Sequence, residues 1–75
     1  MSKFPRVNAK QIEKVILKLG YIRESGKGSH RIYRKSGKIT QVTIPYHGSK
    51  ILKLATVKSI LNQAGLTVEE FTDLL

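Results

Sequence analysis

Two hydrophobic periods meet at Gly20, and few folds accommodate both. Before it, Ile12, Val15, Ile16 and Leu19 recur at i, i+3, i+4 and i+7, the spacing of one face of a helix. Asn8, with Gln11 three residues later, has the spacing of a capping box. A first helix is therefore predicted over roughly residues 9–19, with Gly20 as its C′ residue. After Gly20 the pattern shortens to runs of four to six residues separated by turn formers, the mark of strands.

Those runs are Tyr21–Glu24, Ser29–Arg34 and Ile39–Ile44, the last ended by Pro45. Ser25-Gly26-Lys27-Gly28 and Lys35-Ser36-Gly37-Lys38 join them, and connections this short predict an antiparallel meander. Residues 45–51 read as a loop. Leu54, Val57, Ile60, Leu61 and Ala64 mark a second helix over about 54–64, closed by Gly65. Thr67 and Glu70 cap a short third helix whose Phe71, Leu74 and Leu75 are expected to pack inward. The order α-β-β-β-α-α predicts a two-layer α+β fold, a three-stranded antiparallel sheet with helices on one face. Residues 1–75 form one domain, with 1–7 as a loose basic arm. Strand parity places Ile22, Ile32, Val42 and Ile44 under the helices and Tyr21, Arg23, Arg31, Tyr33, Gln41 and Thr43 on the open face. His30 shares the parity of Ile32, which predicts it at the rim where sheet meets helices.

A chain of 75 residues cannot enclose a deep pocket, so a shallow surface site is expected. The absence of cysteine excludes disulfides and thiolate metal sites and fits a cytoplasmic protein. No apolar run approaches the ~20 residues of a membrane span. All 14 Lys and Arg lie within residues 1–58, opposed there only by Glu13 and Glu24, whereas 59–75 carry Glu69, Glu70 and Asp73 and no base. Such a field draws polyanions, and counterion release makes nucleic acid the default partner.

The chemistry concentrates in Gly26-Lys27-Gly28-Ser29-His30-Arg31-Ile32-Tyr33-Arg34-Lys35. Histidine is the usual proton carrier near neutral pH. RNA brings its own nucleophile, the 2′-hydroxyl, so one base, a leaving-group acid and phosphate-binding cations suffice for cleavage without metal. His30 is the candidate base. Lys27, Arg31, Arg34 and Lys35 are candidate phosphate ligands whose charge favours neutral imidazole. Tyr33 is a candidate base contact, Gly28 a close approach of backbone to phosphate, Ser29 a hydroxyl contact. His47 could donate the leaving-group proton, or stabilise its loop or touch a phosphate. The plainer reading of His30 is a hydrogen bond to a strand end or helix terminus. Two histidines 17 positions apart, with no Asp or Glu pair nearby, offer no recognisable metal-ligand set, and no cofactor is implied.

Gly28-Ser29-His30-Arg31-Ile32-Tyr33, Val42-Thr43-Ile44-Pro45 with His47-Gly48, Ser59–Leu66 and Glu69-Glu70-Phe71, in that order, resemble the HicA family of toxins. The resemblance covers nearly the whole chain from Val7. It implies a fold like the double-stranded-RNA-binding domain, metal-independent cleavage of mRNA as toxin of a toxin–antitoxin system, and inhibition by a HicB-type antitoxin. The family's active histidine follows Gly-Ser or Gly-Thr, which maps onto His30, and its Pro-x-His element maps onto Pro45 and His47. Leu54-Ala55 stand where relatives often carry Pro-Gly, a change that favours a longer second helix. The alternative is a noncatalytic RNA-binding module of the same fold.

Overall fold

The computed structural model describes residues 4–27 and 29–75, with Ser25–Lys27 described by their backbone. The elements are α1 (Ala9–Lys18), β1 (Ile22–Lys27), β2 (His30–Arg34), β3 (Val42–Pro45), α2 (Leu54–Ala64) and α3 (Val68–Leu74). The strands form one open antiparallel sheet in the order β1-β2-β3, the α+β meander that the spacing predicts.

Both predicted capping boxes form. Asn8 accepts from the Gln11 N–H and Gln11 returns the bond to the Asn8 N–H, each at 2.9 Å. Thr67 and Glu70 do the same for α3. Each box satisfies two donors that a helix start leaves without partners. α2 lacks a side-chain cap and ends at Gly65, whose φ of 71° is open to glycine without steric cost. Ile12, Val15 and Ile16 of α1, Val42 and Ile44 of β3, Ile60 of α2 and Phe71 of α3 meet in one buried cluster. Each such side chain contributes about 1.5–3 kcal/mol, and a chain without disulfides has no other large source of stability. Gln63 of α2 accepts from the Thr43 N–H at 2.9 Å, so the helix also occupies a donor on the free edge of β3.

The sheet departs from the predicted boundaries at both turns. β1 runs on through Lys27, with Ser25 opposite Ile32, Gly26 opposite Arg31 and Lys27 opposite His30, and a bulge falls between Arg23 and Ser25. The strand pairing thus continues into the segment expected to turn. At the other end β2 stops at Arg34, so residues 39–41 have no partner strand and Ile39 is 98 % exposed.

Parity is the larger correction. Tyr33 stands opposite Val42 and Arg31 opposite Ile44, so this set faces the helices, and Tyr33 has no exposed surface. Ile32 lies on the other face, and Ile22 is 71 % exposed while Tyr21 is buried. The cause is Glu13 on α1, whose carboxylate accepts from both the Tyr33 hydroxyl and Arg31. A tyrosine tip with a partner can be buried, which lets its ring fill the core.

The N-terminal arm is docked over the described residues 4–7. Val7 is buried and its carbonyl accepts from the Leu52 N–H at 2.9 Å, beside an antiparallel bridge between Asn8 and Ile51. Phe4 packs on the core, with the Lys58 ammonium 5.3 Å from its ring centre. Residues 1–3 lie outside the described residues. Leu75, expected inside, is 49 % exposed at the end of the chain.

Candidate active site

His30 opens β2, where its ladder partners are Lys27 of β1 and Pro45 of β3. It does share the parity of Ile32, but that parity faces away from the helices. The imidazole is exposed on the open face instead of held at the rim. Among the described residues no hydrogen bond or ion pair engages it, which is not the plainer reading of a strand-end contact. β3 leads from Pro45 straight to Tyr46 and His47, and the Tyr46 N–H donates to the Ser29 carbonyl. Both imidazoles therefore belong to segments that meet at one end of the sheet.

The predicted ligands separate into distinct environments. Lys27 is the ladder neighbour of His30. Gly28 lies outside the described residues. Ser29 is half-buried and contributes its carbonyl to the strand crossing. Arg34 is exposed on the open face and pairs with Glu24 at 2.8 Å, both side chains half exposed. Such a pair adds about 0–1 kcal/mol and yields readily to a phosphate. Lys35 lies over the Tyr21 ring, its nitrogen 5.8 Å from the centre.

Arg31 and Tyr33 do not join this set. Arg31 turns toward α1, where Nη1 donates to Glu13 Oε2 at 3.1 Å. Burial alone would lower its pKa, but the hydrogen bonds and charges of Glu13 and Tyr33 outweigh that and raise it. Its guanidinium is committed to Glu13, so its assignment as a free phosphate ligand is corrected. Tyr33 is corrected outright: a ring with no exposed surface cannot stack a base. Its phenol is pushed well above the ordinary range, first by burial and then by the hydrogen bond and charge of Glu13, with Arg31 opposing.

His47 is exposed and lines a shallow cleft of ≈ 260 Å³ with Pro45, Lys50, Lys53 and Thr56. Lys50 and Lys53 were not singled out in the sequence, although both follow His47 within six residues and bring positive charge to its cleft. Among the described residues no group of three His, Cys, Asp or Glu side chains gathers as a metal site, and no helix is long and apolar enough to cross a membrane.

The arrangement offers an exposed imidazole, a second one nearby, several cations and an open, shallow approach. It fits a long polyanion better than a small molecule that must be enclosed. A family model described as the HicA toxin of bacterial toxin–antitoxin systems matches residues 9–66. The matched span runs from the first residue of α1 to just past α2, so it contains every residue of this site. No curated protein matches the chain.

Proposed function

Because the chain belongs to the HicA family, toxins of bacterial toxin–antitoxin systems, we propose that it is a ribonuclease that cleaves messenger RNA without metal, with His30 as general base. The observation that carries this reading is the exposed His30 imidazole at the sheet end shared with the His47 segment. His30 takes the proton of a ribose 2′-hydroxyl as that oxygen attacks the adjacent phosphorus. The bond from phosphorus to the 5′ oxygen breaks, and that oxygen leaves with a proton from an acid, for which His47 is the candidate. The products are a 2′,3′-cyclic phosphate and a 5′-hydroxyl. Lys27, Arg34 and Lys35 bind phosphates, with Ser29 at the turn as a further contact. The α-β-β-β-α order, which the family resemblance ties to the double-stranded-RNA-binding domain, suits a ligand recognised by its backbone.

The test is growth arrest on induced expression, wild type beside His30→Ala, with soluble protein equal and total RNA examined. Arrest with RNA loss in the wild type alone supports the reading. Removing a general base typically costs about 10²–10⁴-fold in rate, enough to relieve toxicity. Equal behaviour of the two proteins sinks it and points to an RNA-binding module that does not cut.

The partner we propose is a HicB-type antitoxin that presents acidic groups to the basic open face. Opposite charge speeds encounter and fixes orientation. Added in increasing amounts, such an antitoxin is expected to stop RNA cleavage in proportion to complex formed. Full cleavage by a saturated complex would refute inhibition by coverage of the site.

A further inference from the structure

The segments that carry His30 and His47 are joined by contacts that the proposed reaction does not use. Arg31, next to His30, lays its guanidinium over the Tyr46 ring, with Cζ 3.7 Å from the ring centre. Tyr46 immediately precedes His47, and its N–H is bonded to Ser29, immediately before His30. Behind Arg31, one oxygen of Glu13 accepts from both the guanidinium and the Tyr33 hydroxyl. A chain of contacts thus runs from α1 through Arg31 to the turn that bears His47.

The two acids of residues 1–58 differ in setting. The Glu24 side chain is 51 % exposed and links neighbouring strands, whereas that of Glu13 is 18 % exposed and takes two donors. A part-buried carboxylate with two donors holds its partners in fixed geometry, unlike an exposed pair. Pro45 and Tyr46 of the turn it reaches are tied to β2 and the core, but the part beyond them is not buried. Residues 47–50 are exposed, and Gly48 takes a φ of 65°. Exposed segments with few buried contacts open easily.

We infer that Glu13 is a positioning residue for RNA cleavage: through Arg31 it holds the Tyr46 ring, and with it the Pro45–His47 turn, in register with His30. This rests on the ribonuclease reading. The guanidinium presents one face to the ring while its edge is pinned by the carboxylate, so removing the negative charge frees the cation to swing off the ring. The turn then keeps the pairing of Pro45 with His30, the Tyr46 N–H bond, the contact of Tyr46 with the core and the Lys50 N–H bond to the His47 carbonyl, but not the guanidinium that fixes its ring. Displacement of a reacting group by about 1 Å can cost on the order of 10²-fold in rate, while phosphate binding by cations elsewhere on the open face is untouched.

The experiment compares wild type, Glu13→Gln, Tyr46→Leu and Tyr46→Phe. It reads hydrogen exchange of the Tyr46 amide, the melting temperature, and cleavage of a transcribed single-stranded RNA under single turnover over a range of protein concentrations. Glu13→Gln and Tyr46→Leu are expected to speed Tyr46 exchange at least about tenfold. They should lower the maximal cleavage rate by roughly 10- to 100-fold with little change in half-saturation. Tyr46→Phe keeps the ring and is expected to match wild type. Unchanged exchange in both Glu13→Gln and Tyr46→Leu overturns the inference, as does faster exchange with an unchanged rate, or a rate loss that only follows the loss of folded protein. Should Glu13→Gln not fold, the Tyr46→Leu and Tyr46→Phe pair decides alone. If wild type cuts no RNA, the ribonuclease reading fails and takes the inference with it. If wild type cuts and Glu13→Gln cuts equally well, the positioning role alone fails.

Discussion

An RNA oligonucleotide in which every 2′-hydroxyl is replaced by hydrogen is expected to bind this protein and not be cut at all. In the proposed reaction the attacking group belongs to the substrate, so its removal would leave His30 with no proton to take. In the proposed reading, binding depends on phosphate contacts from cations such as Lys27, Arg34 and Lys35, and those persist. The affinity of the deoxy strand should therefore fall with salt as steeply as that of RNA, with a slope of about −0.7 per phosphate contacted by a single strand. The unmodified strand should be cut as fast in excess chelator as without it and give 2′,3′-cyclic phosphate ends. Cleavage of the deoxy strand at a measurable rate would mean that water or a protein group attacks phosphorus. Loss of cleavage in chelator would put a metal in the reaction. Failure of the deoxy strand to bind would shift recognition from phosphates to the 2′-hydroxyls.

Local signals in the sequence carried the helices with little error because each rests on short-range chemistry. Asn8 with Gln11 and Thr67 with Glu70 form the predicted boxes, and Gly65 takes the left-handed conformation at the end of α2. The sheet was legible in order and sense but not in face. Assigning the aliphatic residue of each strand to the core put Ile32 inside and Tyr33 outside, and the structure has them reversed. The deciding partner, Glu13, lies on α1, 20 positions before Tyr33, and no local pattern links the two. A signal was present: Glu13 is one of two acids among residues 1–58, and it adjoins the apolar stripe of α1, where an unpaired carboxylate would be costly. A carboxylate so placed needs buried donors, and the sheet is the layer that packs against α1. The same reversal removed Tyr33 and Arg31 from the ligand set and turned His30 outward, so one parity error accounts for most of the site corrections. The choice of position 30 as the candidate base rests on its neighbours in sequence, not on its place in the sheet.

Tyr33→Ala is expected to unfold the protein or leave it barely stable. Tyr33 is among the largest side chains buried without exposed surface, and it touches both layers of the fold through its ring and the Glu13 carboxylate. Truncating a buried aromatic to alanine costs about 3–5 kcal/mol. A domain of this length is stable by roughly 4–11 kcal/mol at about 0.05–0.15 kcal/mol per residue, so this one change removes a large part of the total. Tyr33→Phe separates the ring from the hydroxyl. It keeps the packing and loses one hydrogen bond to a carboxylate, about 1.5–3 kcal/mol, with Arg31 still on Glu13. The two variants should also differ from wild type in alkali. The folded state raises the phenol pKa, so Tyr33 stays protonated after the unfolded chain has begun to ionise it at its ordinary value near ~10. The contribution of the hydroxyl is therefore complete below that value and declines as pH rises above it, because the unfolded state then releases a proton that the folded state keeps. Denaturant unfolding of wild type and Tyr33→Phe should show a stability gap that is constant near neutrality and narrows above pH ~10. A gap that widened there would mean that the folded protein prefers the ionised phenol. That would be incompatible with a carboxylate as its partner.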